Sequence, residues 1–488
     1  MKTPLLGSAY VARSINAADN RCINLFPEAI PEGGKEAGYL QRCPGLNFLQ
    51  SIGTGPIRAL WAHQTNGSDF YVVSGTEVFK LTSLIATPIK IGDVSGTGPV
   101  SIADNGAVLF FACNGPSYTW YEPTNSFNAI TDVNFPGAVT VCYLDNQFVF
   151  NEPNSQRIWS VDTVDPSSGT YIYPLVFNSL FFSSADGAPD GVVAVAADHR
   201  QLWVYGTNST EVWFNAGLAN FPFSPIQGAF NEIGCVATYS IAKLDNSLFW
   251  LGTDARGQGI VYRINGYTGV RISTHAIEYA IAQYGNISDA VGYTYQQEGH
   301  AFYVLIFPSA DATWVYDVST QAWHERAGWS NGSFTRHRSN CQCNFEGNII
   351  VGDFANGNIY TLDLDVYADN GQVQKWLRSW RALPTGQNNL KRISQHSLQI
   401  DMESGTGLDL GQGDDPQVML RWSDDGGHTW SNEHWAAIGK IGEYYKRVFF
   451  RRLGMTLKLR DRVYELSMTD PVKTALMGAE LIVSGTNA

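Results

Sequence analysis

Short apolar runs recur along this chain, each closed by an Asn, Asp or Gly turn and followed by a run rich in Tyr, Phe and Trp. Copies begin near Ala59, Val100, Val139, Val193, Val236, Tyr293 and Asn340, at gaps of 41, 39, 54, 43, 57 and 47 residues. Gaps of this size match a four-stranded blade, the unit of a closed propeller. Alternation around Gly75 in Phe70–Lys80 predicts a hairpin with one wet face. Asn105-Gly106 is a strong two-residue hairpin signal. Tyr143–Phe150 and Lys243–Trp250 nearly superimpose, each turning at Asp-Asn, and Asn344–Val351 is a looser copy. A second hairpin follows each copy, as in Thr313–Asp317 with Ala322–Glu325.

Seven copies predict an all-β chain with a seven-bladed β-propeller over residues 51–374. The 54- and 57-residue gaps hold insertions, and a six-bladed ring with an irregular copy also fits the spacing. Beyond residue 385 the runs lengthen, in Val418–Trp422, Val448–Leu453 and Met455–Arg460. They predict a small carboxy-terminal β-sandwich-like domain over 375–488, with 377–390 as connector. Residues 1–50 are punctuated by Pro and Gly and read as an extended arm or lead-in. Their Arg13, Asn16, Arg21 and Asn24 are polar anchors in one reading and ordinary surface residues in the other.

Composition supports a β protein: aromatics are 13%, charged residues only 16%, and 48 Gly and 20 Pro supply turns. The net charge of -13 is uneven. Residues 1–374 carry 17 Lys/Arg against 32 Asp/Glu, and 375–488 carry 15 against 13. An acidic body disfavours a general nucleic-acid groove, which needs a basic footprint. Lys446, Arg447, Arg451, Arg452, Lys458, Arg460 and Arg462 form a basic cluster. It is either a contact for acidic protein or nucleic acid, or a solvated face. Seven scattered cysteines, with only Cys341 and Cys343 close together, suggest no disulfide framework. No apolar run is long enough for a membrane span, and the start lacks a signal-peptide core.

Candidate chemistry is thin. Ser423, Asp425, Gly427, Thr429 and Trp430 fit the Asp-box, S-x-D-x-G-x-T-W, a turn-shaping motif of many β proteins. Asp198, Asp245, Glu298 and Asp353 are the acids that a glycosidase reading would bring together on one propeller face. His324, His337 and His396 are expected on strand surfaces or interfaces. No metal-binding motif, P-loop or nucleophile elbow is present, so no cofactor and no enzymatic activity are expected.

The amino-terminal block carries a resemblance. Leu5–Ser14, Arg21–Glu28 and Cys43–Leu46 resemble the packaged-DNA stabilisation family, the tail hub (tail accessory) proteins of P22-like short-tailed phages, and the likeness continues through the repeats to Arg421–Gly426. The resemblance implies a virion tail protein, assembled in the host cytoplasm. It implies a homo-oligomer, a hexameric ring below the portal and head-to-tail adaptor, closing the DNA exit near packaged DNA. It also implies a tail needle or plug held centrally and tailspikes or fibres outside. Arg13, Arg21 and Asn24, with Arg447, Arg451, Arg452, Lys458, Arg460 and Arg462, are then the suspected interface residues. Two other readings stand beside it: a tail-associated glycan-binding or glycan-cleaving propeller, and a cellular propeller that binds peptides.

Overall fold

The computed structural model describes residues 2–15, 17–63, 69–254, 257–381, 392–457 and 462–485. Seven antiparallel blades surround one axis among the described residues. Blade 1 runs from Ile57–Ala62 to Ile89–Asp93, blade 2 from Ser101–Asp104 to Ser126–Ala129, and blade 3 from Val141–Leu144 to Phe182–Ser184. Blade 4 runs from Val192–Asp198 to Phe223–Asn231, blade 5 from Gly234–Cys235 to Thr268–Arg271, and blade 6 from Val291–Gln297 to Ala322–Glu325. Blade 7 takes Ser339–Phe345, Asn348–Asp353 and Asn358–Asp363 from late in the chain. Its fourth strand is Gly45–Ser51, paired antiparallel with Asn358–Asp363. An early strand thus closes the last blade and ties the two ends of the ring together.

The turns explain the register. Asp145 and Asn146, His199 and Arg200, and Asp245 and Asn246 all have positive φ, between 46° and 65°. Two successive positive φ values make the type I′ turn that matches strand twist, and Asn and Asp tolerate it best. Second strands are buried on both faces, as in Val108–Ala112 and His300–Phe307, because each blade lies between two others. Aromatic side chains fill the gaps between blades: Phe110, Phe148, Phe150 and Trp159 share one cluster across blades 2 and 3. Each such side chain contributes about 1.5–3 kcal/mol on burial. At the closure, a Cβ on Gly352 of blade 7 would lie 2.3 Å from the Ile57 side chain of blade 1. Only glycine permits that approach.

The two long gaps are insertions of different kinds. In blade 3, residues 163–181 leave the rim and stack Tyr173 on Tyr121 of blade 2 at 4.3 Å. After blade 5 comes the helix His275–Ala282, capped by the Thr274 hydroxyl, which accepts from Ile277 N. Ala276, Ile277 and Ile281 form its buried face. No helix among the described residues is long and apolar enough to cross a membrane.

The sandwich grows out of blade 6. Glu325 bridges to Ile23, and Cys22–Ile23 pairs with Trp376–Arg381. Val463–Met468, Gln417–Ser423 and His434–Ala437 continue the same sheet. A second sheet holds Val448–Arg451, Ile393–Met402, Ala475–Gly485, Gly38–Arg42 and Leu25–Ala29, with Lys2–Thr3 paired to Ala475–Gly485. Trp376, Trp380, Leu398, Leu420, Tyr464 and Leu481 belong to the core between them.

Two expectations change here. Residues 376–381 are no connector but a fully buried strand, in which Arg378 donates to Leu5 O and Arg21 O and Arg381 to Ile15 O. The remainder of the expected connector, 382–390, lies outside the described residues. His324 and His337 are buried rather than on strand surfaces, and His396 is exposed. Burial pushes the His324 imidazole down to about 3, so it is neutral.

Candidate functional site

The amino-terminal segment bolts the two domains together. Asn24 is fully buried with φ 54°. Its Nδ2 donates to Ala327 O and Lys375 O, both at 2.8 Å, and its Oδ1 accepts from Ala327 N at 3.0 Å. One side chain therefore joins the arm, the end of blade 6 and the entry to the sandwich. Beside it, Arg21 grips Glu325 through two bonds of 3.2 and 2.9 Å. The Glu325 charge raises the Arg21 guanidinium pKa despite burial.

Other buried cations serve the same junction. Arg378 Nε donates to Leu5 O at 2.7 Å, and Arg42 Nη1 reaches Asp470 O at 2.7 Å and Val472 O at 3.0 Å. A buried guanidinium costs several kcal/mol unless its donors are satisfied, and here main-chain carbonyls satisfy them. Desolvation lowers the Arg42 pKa to about 10. His300 of blade 6 meets Asp317 at 2.8 Å and Glu28 of the arm. The hydrogen bond to Asp317, then that to Glu28, raises its pKa to about 9, so imidazolium bridges blade and arm at neutral pH.

The other candidate residues separate into groups. Arg13 is exposed, with its guanidinium 6.0 Å from the Tyr279 ring. Arg447, Arg451 and Arg452 are exposed on the sandwich. Arg462 does not join them: it is 1% exposed and grips Asp424 at 2.6 and 2.7 Å. Lys458 and Arg460 lie outside the described residues. Asn16 does too.

The Asp-box closes around one carboxylate. Asp425 Oδ1 accepts from Ser423 Oγ at 2.7 Å, His428 N at 3.0 Å and Thr429 N at 2.8 Å, and Oδ2 accepts from Thr429 Oγ1 at 2.6 Å. These bonds hold its pKa well below the usual carboxylate range, the Thr429 hydroxyl first among them. Gly427 has φ 100°, and Trp430 lies half-buried against the Arg421 guanidinium. The adjacent Asp424–Arg462 pair, which the motif does not encode, locks the turn to the sheet.

Of the four acids of the glycosidase reading, Asp198, Asp245 and Glu298 stand at the first turns of adjacent blades 4, 5 and 6, and Asp353 stands apart from them. Asp198 is buried between Lys243 at 2.6 Å and His199 at 2.7 Å. Asp245 pairs with Arg263 at 2.6 Å. Glu298 is exposed in the first turn of blade 6. Asp353 is buried at the opposite end of its blade from that turn, held by Tyr360 and Arg338. A central cavity of about 540 Å³ is lined by all seven blades. Small residues such as Ala103, Cys142, Ala196, Ala242 and Gly292 line it. Among the described residues no group of His, Cys, Asp and Glu is arranged to hold a metal ion.

Comparison with known families decides between these readings. The family model described as "Bacteriophage P22 Gp10, beta-propeller" matches residues 1–367, and the model described as "Bacteriophage P22 Gp10, beta-sandwich" matches 376–484. The chain belongs to the P22 Gp10 phage-stabilisation family. Its role is structural, in the virion tail and in stabilising packaged DNA, and it is not an enzyme. The P22 Gp10 family has tail-associated protein partners, and the glycan reading falls away. No curated protein matches. Solved structures similar to this member of the family include the β-propeller domain of Cps50 (Swd1) from Myceliophteria thermophila, at 10% identity and TM-score 0.40, covering 65% of this chain and 98% of that one. The computationally designed Ika8 protein is 12% identical at TM-score 0.38, covering 66% and 99%. The extracellular domain of a putative one-component system from B. thetaiotaomicron is 12% identical at 0.40, covering 88% and 58%.

Proposed function

We propose that this chain is the hub subunit of a short phage tail. Copies form a closed ring, a hexamer, below the portal and the head-to-tail adaptor. The ring closes the DNA exit, holds the needle or plug at its centre and carries tailspikes or fibres outside. The observation that carries this reading is the junction of propeller and sandwich. One continuous sheet crosses it, and Asn24, Arg21 and Arg378 fasten it with satisfied polar contacts. A protein that resists the pressure of packaged DNA benefits from domains that cannot swing, and buried polar networks of this kind fix a single arrangement. Residues 1–50 then act as fastener and closing strand, 51–374 as ring-building body and 375–488 as assembly edge.

The test is a phage carrying a null allele of this chain, grown with and without complementation. The expected particles fill with DNA, lose it on standing, and lack needle and spikes. Particles that retain DNA and carry a complete tail without this chain contradict the proposal.

A further inference from the structure

One edge of the sandwich exposes large apolar side chains among cations. Trp435, Ile441, Tyr444 and Tyr445 are 58%, 58%, 75% and 82% exposed. Interleaved with them, Lys440, Lys446, Arg447, Arg451 and Arg452 are exposed, and none makes an ion pair among the described residues. Cations elsewhere are largely paired, as in Lys35–Asp401, Lys90–Asp93, Arg200–Asp145 and Lys473–Glu403. The edge belongs to the short strand His434–Ala437, the last of its sheet, and to Val448–Arg451, the last of the other. Aromatic residues and Arg together are the signature of a protein interface, and a solitary patch this apolar is uncommon on an isolated surface.

The rim of blade 3 offers the complement. Residues 163–191 carry Asp165, Asp186 and Asp190 and no Lys or Arg; Asp165 also closes its own turn with Ser167 and Ser168, and Asp190 accepts from Asn208 and Ser209 of blade 4. The same excursion exposes Tyr171, Val176 and Leu180, beside Val133 of blade 2, which is 95% exposed. Asp132 stands next to it and holds Phe177 N at 3.2 Å. The sandwich hangs from blade 6, and blades 2 and 3 are three and four blades away in either direction around the ring. The two patches therefore lie at opposite ends of the molecule. They have opposite charge and a shared apolar character.

We infer that the basic, aromatic edge of the sandwich docks on the acidic rim of blades 2 and 3 of a second copy of this chain. Such a contact is heterologous, head to tail, and repeats around a closed ring. Opposite charges set the register and speed encounter, while the apolar side chains supply burial. Exposed Ile441, Met455 and Leu457 suit a protein surface and not a phosphate backbone. The inference rests on the proposed ring, and it names the surfaces that build it.

Two charge-altering variants test it on the full chain. R447E/R451E strips most of the positive charge from the sandwich edge, and V176K/D186K removes the negative balance of the rim; all four positions are exposed, and melting curves check folding. Sedimentation velocity is expected to show a wild-type oligomer that dissociates as salt rises, and each variant alone as a monomer. An equimolar mixture of the two variants is expected to form a heterodimer, because the unaltered edge of the rim variant meets the unaltered rim of the edge variant. The inference is overturned if R447E/R451E assembles like wild type, if the mixture stays monomeric, or if wild type is monomeric up to its solubility limit. It is also overturned if duplex DNA binds wild type but not R447E/R451E while assembly is unchanged. A chain that assembles through these surfaces but is missing from the particle removes the hub role and leaves this interface standing.

Discussion

Replacing Asn24 by alanine removes three hydrogen bonds at once and leaves Ala327 N, Ala327 O and Lys375 O without their partner. Each orphaned group costs about 1–3 kcal/mol where water cannot reach it. The positive φ of 54° adds roughly 1 kcal/mol for alanine. Partial relaxation of the junction brings the expected loss to about 4–6 kcal/mol, within the sum of those terms. Urea unfolding followed by tryptophan fluorescence reads it, since Trp323, Trp376 and Trp380 are all buried in the shared core. The wild type is expected to unfold in one step and Asn24→Ala in two, as sandwich and propeller uncouple. Asn24→Gly relieves the backbone term alone and is expected to be about 1 kcal/mol milder. Asn24→Asp keeps the Ala327 N bond but turns a carboxylate oxygen toward two carbonyls. Its penalty at pH 7 is expected to match or exceed that of alanine and to ease as pH falls and the acid protonates. A loss below about 1 kcal/mol for Asn24→Ala, or an Asn24→Asp protein as stable as wild type, refutes the bolt.

Further outcomes follow from the same contacts. Asp424→Ala strands the buried Arg462 guanidinium and is expected to cost about 3–5 kcal/mol, measured by calorimetry. The pKa of His300 is raised to about 9 from an ordinary value near 6.5, so its stabilisation is complete below that ordinary value and is lost as pH rises through about 9. Melting temperature between pH 6 and pH 10 is therefore expected to fall more steeply in wild type than in His300→Gln. Deleting residues 1–51 removes the closing strand of blade 7, and limited proteolysis is expected to cut 339–363 rapidly in the truncated chain. Asp425→Ala releases the four bonds that close the Asp-box turn, and the cut site of a probe protease is expected to appear at 424–430.

The ring was legible because its signals are local. Each apolar run with its Asp-Asn turn specifies a hairpin without help from distant residues, and the seven starts fall on or beside the seven inner strands. The closing strand was not legible as such. Gly45–Ser51 pairs with residues more than three hundred positions away, and nothing in its alternation names that partner. The junction was hidden for a similar reason. Arg378, Arg42 and Arg462 look like surface cations in sequence, yet carbonyls and Asp424 from remote segments satisfy them in the interior. Asn24 was singled out as a polar anchor, but only the fold shows that it holds two domains of one chain. Trp376–Arg381 mixes apolar and charged residues without a clear alternation, and is buried on both faces because the amino-terminal segment covers it.

Cryo-electron microscopy of the intact particle tests the central claim most directly. The account predicts density for the seven-bladed ring and its sandwich in every subunit of a tail ring below the adaptor, with Asn24 enclosed between the two domains. A particle whose tail is complete without that density, or in which sandwich and propeller stand apart, contradicts it.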